Sequence, residues 1–145
     1  MKEDNVTVSQ YIGRSIAFLS RSHRLFMARA LAETDLRGPE PSIISLLEFF
    51  DGSSQDDLAS MLAIDKSGIA RSVGILEDKG YVRREQDTEN RRKNKIFLTD
   101  KGREMLPVIN EKLSQWEDML LKGYNEEERK AILSYLSLMV KNCDI

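Results

Sequence analysis

Apolar residues along this chain recur mostly at helical spacing. Between residues 7 and 34, Ile12, Ile16, Leu19, His23, Phe26, Met27, Ala30 and Leu31 fall three or four positions apart, with Arg14, Arg21, Arg24 and Arg29 interleaved. A period near 3.6 predicts one long amphipathic helix. Its apolar stripe is longer than a small domain can cover, so part of it is expected to pack against another chain. Gly38-Pro39-Glu40-Pro41 interrupts the pattern; proline is tolerated in a first helical turn, where its missing N–H would be unpaired anyway. The segment Ser42 to Phe50 that follows is apolar on most sides and is expected to be a buried helix ending at Asp51-Gly52.

Shorter elements come next. Ser54 is placed to cap a helix whose first turn carries Asp56 and Asp57 and whose buried side is Leu58, Met61 and Leu62. Ile64 closes a turn, and Asp65 caps a second helix in which Ile69, Val73 and Leu76 point one way. The other face carries Lys66, Ser67, Ala70, Arg71 and Gly74, small or basic side chains that permit close approach to base edges and phosphates. Gly68 and Gly74 each cost about 1 kcal/mol of helix propensity relative to alanine, which fits close contact or a helix that firms up on DNA. Gly80 ends that helix, and Tyr81–Glu85 and Lys95–Thr99 read as the strands of a hairpin. Its turn, Asp87 to Asn94, concentrates Arg91, Arg92 and Lys93 beside Lys95.

Two more helices complete the pattern. The first starts at Thr99-Asp100, runs to about Lys122 before Gly123, and carries Met105, Leu106, Ile109, Leu113, Trp116 and Leu120 on its apolar side. Pro107 lies too deep for a first-turn proline and predicts a kink or restart. Asn125 to Glu128 resembles a capping box and opens the last helix, lined by Ile132, Leu133, Leu136, Met139 and Val140. The predicted class is mainly α with a small β-hairpin wing, a winged helix-turn-helix carried by further helices.

Charge changes the picture. The 145-residue chain has a formal net charge of −2, which argues against a nucleic-acid partner until it is divided. Residues 66–103 hold 11 Lys and Arg against 6 Asp and Glu, whereas both flanks are net acidic. Phosphate responds to the local field of a patch rather than to total charge. The start, Met1 to Asp4, lacks an apolar leader region and no run approaches the ~20 apolar residues of a membrane span, so a cytoplasmic protein is expected. One cysteine, Cys143, and one histidine, His23, leave too few soft ligands for a metal site, and no phosphate-binding loop or catalytic triad spacing suggests a reaction centre. No cofactor and no enzymatic activity are expected.

The order and spacing of these pieces resemble the MarR family of winged helix-turn-helix transcriptional regulators over essentially the whole length. The residues that carry the resemblance are Leu58-Ala59 through Ile64, Asp65-Lys66-Ser67, Leu76-Glu77-Asp78-Lys79-Gly80-Tyr81-Val82-Arg83-Arg84, and Asp87 to Arg92 through Leu98 to Gly102. The resemblance implies a homodimer, with residues 1–36 and 103–145 as a helical dimerisation region and 37–102 as the DNA-binding domain. It implies that Lys66, Ser67, Ala70 and Arg71 face the major groove of a palindromic operator. Arg92 would reach the minor groove, with Arg91 and Lys93 on phosphates. Where the family usually has a wing-bracing aspartate, this chain has Asn90. The resemblance further implies a repressor released by a small, often aromatic effector, in a pocket for which His23, Phe26 and Trp116 are the candidates. Peroxide-sensing members carry a reactive cysteine near the N-terminus, which this sequence lacks. The alternative is a winged-helix module that binds protein instead of DNA.

Overall fold

Side-chain caps set where the central helices begin. The computed structural model describes residues 10–143. In chain order these form α1 (Ile12–Ala30), α2 (Glu40–Phe49), β1 (Ser53–Ser54), α3 (Gln55–Leu62), α4 (Lys66–Asp78), β2 (Val82–Gln86), β3 (Asn94–Leu98), α5 (Asp100–Leu120) and α6 (Glu126–Lys141). Ser54 and Asp57 make a reciprocal capping box at α3, and Asn125 and Glu128 make another at α6. Asp65 accepts from the Gly68 N–H at α4, and Thr99 accepts from the Gly102 N–H at α5. All four of these starts are where capping chemistry predicts them.

The sheet is antiparallel in the order β1-β3-β2. Val82 pairs with Leu98 and Gln86 with Asn94, so the hairpin closes around residues 87–93. The two-residue β1 has no alternating pattern to betray it; it exists because Ser53 and Ser54 lie against Ile96 and Lys95.

One core joins these elements. Ile43, Ile44 and Leu47 of α2, Leu58 of α3, Ile69, Val73 and Leu76 of α4, and Ile96 of β3 are all fully buried. Leu31, Leu36, Leu106 and Ile109 extend it towards the base of α1 and α5. Met61 and Leu62, expected in the buried side of α3, are only half-buried.

Four expectations need adjustment. The first helix ends at Ala30 rather than Thr34, and the expected residues 7–9 lie outside the described part of the chain. It ends because Thr34 and Arg37 compete for backbone: the Thr34 hydroxyl donates to the Leu31 carbonyl at 2.6 Å, and Arg37 Nη1 donates to the Thr34 and Leu36 carbonyls, each at 2.6 Å. α2 is not buried all round, since Phe49 is 77% and Phe50 52% exposed at its C-terminal end. α5 runs without interruption through Pro107. Both Pro107 and Arg103, whose carbonyl loses its amide partner, are exposed, so water can take the missing bond. Finally, α6 has no buried residue at all among those described.

Candidate nucleic-acid interface

The candidate DNA-facing helix is α4, whose back is packed into the core. Burial of Ile69, Val73 and Leu76 leaves one face outward. On that face Lys66, Ser67 and Arg71 are exposed, and Ala70 is half-buried. Asp65 organises the first turn: its carboxylate accepts from the Ser67 hydroxyl and, at 3.0 Å, from the Gly68 N–H. These bonds, that of Ser67 foremost, hold the Asp65 carboxyl below the usual carboxylate range. Gly68 leaves room for this cap, because a Cβ would stand 2.9 Å from Asp65 Oδ1 and the carboxylate would have to shift. Its cost in helix propensity therefore has a local cause.

The wing carries the second set of cations. Asp87 Oδ1 accepts from the Glu89 N–H at 2.9 Å, and Asn90 Oδ1 accepts from the Arg92 N–H at 3.1 Å. The Asp87 N–H donates to the Lys93 carbonyl at 2.9 Å, closing the loop. Asn90 thus organises the turn as an amide acceptor, the position where the family resemblance expects an aspartate. Arg91, Arg92 and Lys93 project from this turn, all exposed. The guanidinium groups of Arg71, Arg91 and Arg92 make no hydrogen bond or ion pair among the described residues.

Asp56 joins the two sets. Its carboxylate lies 3.3 Å from Lys66 Nζ, and it shares a shallow concavity with Ser54, Gln55, Arg92, Lys93 and Asn94. Lys66, Arg92 and Lys93 therefore gather around the start of α3. The Lys66–Asp56 pair is exposed and of little energetic weight, so an approaching phosphate could displace it.

Arg84 went unassigned in the sequence and proves to tie the wing to α4. It sits on the same side of β2 as buried Val82, between exposed Arg83 and Glu85. Its Nη2 donates to the Ala70 carbonyl at 3.2 Å, its backbone N–H donates to Glu77 Oε2 at 3.2 Å, and its Nη1 lies 3.7 Å from Glu77 Oε1. A charged residue in an inward strand position was the available signal.

The candidate effector residues divide. His23 of α1 and Trp116 of α5 meet edge to face, with ring centroids 4.7 Å apart. Burial pushes the His23 imidazole below its ordinary value, and the Trp116 indole N–H is buried without a partner among the described residues. Phe26 instead lines a neighbouring groove with Phe18, Arg21, Leu25, Arg29 and Met119. No group of three or more metal-ligating side chains gathers among the described residues, and no described helix is long and apolar enough to cross a membrane.

A tight helical turn, a core-anchored second helix with a bare basic face, and a basic hairpin beside it define a winged helix-turn-helix protein. A model described as MarR family matches residues 34–93. The solved structure of MarR is 31% identical, with a TM-score of 0.85 over 97% of this chain and 92% of that one. The uncharacterized HTH-type transcriptional regulator YybA of Bacillus subtilis (strain 168) is 29% identical over 93 residues, 64% of this chain and 62% of the relative. The chain spans about three fifths of the length of the curated relatives that it matches in this way. A putative MarR family transcriptional regulator from Listeria monocytogenes, complexed with a 26mer DNA, has a TM-score of 0.81 over 92% of this chain and 89% of that one; at 23% identity the likeness is one of fold. The chain belongs to the MarR family.

Proposed function

We propose that two copies of this chain form a transcriptional repressor that reads a palindromic double-stranded DNA operator. Residues 37–102 would be the reader, with the helices of 1–36 and 103–145 pairing the copies. One observation carries the reading: the guanidinium groups of Arg71, Arg91 and Arg92 are exposed and unpaired, on two elements whose other sides are anchored to the same core. Lys66, Ser67, Ala70 and Arg71 would enter the major groove. Arg92 would enter the minor groove, with Arg91 and Lys93 on phosphate. The fold relative from Listeria is complexed with a 26mer DNA, which favours a nucleic-acid partner for this fold.

Pairing is supported by apolar surface that one copy leaves bare. Ile12, Ile16 and Leu19 of α1 and Leu133, Leu136, Met139 and Val140 of α6 are all exposed. Apolar stripes left bare on a helix in this way mark interfaces. Release would come from a small aromatic effector binding where α1 and α5 meet, near His23, Phe26 and Trp116. Arg21 and Arg29 in the adjoining groove favour an anionic one. Binding there would favour a dimer whose reading helices no longer match adjacent major grooves, roughly 34–36 Å apart.

Selection of duplexes from a random pool by the full chain tests this reading. A palindromic consensus, bound by a dimer and released by members of a panel of phenolic compounds, is the expected result. Recovery of no consensus, with salt-insensitive binding to a protein partner instead, would assign the fold to protein interaction.

A further inference from the structure

The chain enters the reader between α1 and α2 and leaves it at the start of α5. Both passages are hydrogen-bonded to the same three residues, Lys79-Gly80-Tyr81, the turn that ends α4. On the entry side, Lys79 Nζ donates to the Asp35 carbonyl and lies 2.9 Å from Glu40 Oε2. The Tyr81 hydroxyl donates to Asp35 Oδ1 at 2.6 Å. On the exit side, the Thr99 hydroxyl donates to the Gly80 carbonyl at 2.5 Å, and the Thr99 N–H donates to the Tyr81 carbonyl at 3.1 Å. Lys101 Nζ donates to the Lys79 carbonyl at 2.6 Å.

This turn is also shape-restricted. Gly80 has a φ of +83°, a region that L side chains avoid. A Cβ on Gly102 would stand 2.2 Å from the Tyr81 carbonyl oxygen, so α5 starts in direct backbone contact with the turn. Glu40 is 4% exposed and also accepts from the Arg37 N–H at 2.8 Å, so the Lys79 ammonium meets a carboxylate that is already held. α4 therefore has its C-terminal end clamped to the segment that leaves α1 and to the start of α5, while its N-terminal end carries Lys66 and Ser67.

We infer that the Lys79–Tyr81 turn is the junction through which the separation of the helical arms sets the angle of α4 on DNA, with Asp35 and Tyr81 as positioning residues. The inference rests on the DNA-reading proposal above. Its leverage is geometric. α4 has 13 residues and is ~20 Å long at 1.5 Å per residue, so turning residues 37–102 as one body by about 6° about the clamped end moves the far end of α4 by about 2 Å. That displacement is enough to break a base contact. The Tyr81–Asp35 bond is the part of the clamp that a single atom removes, because Tyr81→Phe keeps the buried ring.

The test compares duplexes carrying the selected consensus with others whose half-sites are one base pair closer or farther apart. The full-length parent is measured against Tyr81→Phe, Asp35→Ala, Asp35→Asn and the core control Ile109→Val. The parent should favour its own spacing by about fivefold or more, and Tyr81→Phe and Asp35→Ala should reduce that ratio to within about twofold, while each half-site is still bound. Asp35→Asn, whose amide oxygen still accepts the phenol, should keep the parent's ratio, as should Ile109→Val at an equal loss of thermal midpoint. The junction is overturned if Tyr81→Phe and Asp35→Ala keep the spacing preference, or if Ile109→Val loses it too. A parent that selects no duplex fails the DNA reading itself and takes this inference with it.

Discussion

The reader and the helical arms are built from the same kind of helix and end in opposite states. In α4 the apolar stripe of Ile69, Val73 and Leu76 is completely covered by its own chain. In α6 an equally regular stripe is bare, with Leu136 48% and Val140 65% exposed. Periodicity tells which side of a helix is apolar; it does not tell what covers that side. The reader closes its core within one copy, whereas α6 and the first turns of α1 leave their apolar sides bare.

Glycine substitutions break that comparison most sharply. Gly102→Ala places a Cβ 2.2 Å from the Tyr81 carbonyl oxygen and 3.0 Å from Leu98 Cδ2, at the seam where α5 leaves the reader. Backbone cannot yield as a flexible side chain does, so a loss of about 3 kcal/mol or more is expected in urea denaturation. Gly13→Ala, in the bare part of α1, meets nothing within 4 Å. Better helix propensity should then raise stability, by less than about 1 kcal/mol. Equal losses at the two sites would show that the arm is as tightly packed as the reader.

Charging the bare stripe comes next in size. Leu136→Lys with Met139→Lys alters side chains that one copy leaves exposed, so each new charge can reach water unless a partner covers it. The pair should shift a dimer to monomer by at least about a hundredfold in dissociation constant, at an estimated cost of 1.4 kcal/mol per tenfold. Sedimentation equilibrium reads this directly. An unchanged mass would mean that α6 is not the pairing surface.

Much of this arrangement was legible in the residues, and the gaps have physical causes. Capping chemistry is local, so Ser54, Asp65, Thr99 and Asn125 could be placed from two or three neighbours each. The hairpin was legible because two short runs, Tyr81-Val82 and Ile96-Phe97-Leu98, flank a polar, basic turn. β1 was not, because two serines carry no period and owe their pairing to Ile96 and Lys95, more than 40 residues away. The continuity of α5 through Pro107 was hidden for a similar reason, since it depends on which face of the helix meets water. Arg84 and the Tyr81–Asp35 bond link positions distant in sequence; an inward charge marks Arg84 as needing a partner, but nothing local says which. The basic face of α4 and wing could be read because charge clusters along the chain there.

Contacts to DNA should cost affinity without costing stability, the reverse of the seam. Arg71→Ala removes an exposed, unpaired guanidinium from α4, so urea midpoints should stay within about 0.5 kcal/mol of the parent. Binding to the selected duplex should weaken by about 1–3 kcal/mol and lose discrimination at one position of each half-site. Arg92→Ala should weaken binding to all sequences and reduce the salt slope by about 1. Gel shifts at several salt concentrations separate the two; parent-like curves for both would remove them from the interface.

Acid and alkali probe the seam more gently. Burial foremost, together with donation to Asp35, pushes the Tyr81 hydroxyl up to about 12. An unfolded phenol ionises near 10, so the native state holds this proton more tightly: the contribution is complete below about pH 10 and disappears as pH climbs towards 12. The same bond lowers the Asp35 carboxyl, whose contribution is present above the ordinary carboxylate range and is lost as pH falls through its native value. Tyr81→Phe should flatten both flanks of a stability profile measured by urea denaturation, and unchanged flanks would locate the titration elsewhere.

The smallest effect is expected at Asn90. Its side-chain oxygen accepts the Arg92 N–H at 3.1 Å, and its carbonyl accepts the Lys93 N–H at 2.9 Å, so the amide already shapes the wing without a charge. Asn90→Asp keeps an acceptor in the same place and adds a negative charge beside Arg91, Arg92 and Lys93. Stability should change by less than about 0.5 kcal/mol, because every group involved is exposed. DNA affinity should fall by about two- to threefold as the field at the wing tip weakens, and the loss should shrink with added salt. A gain in affinity instead would mean that a carboxylate braces the tip better than the amide does, and that this chain's wing gains its order only on the duplex.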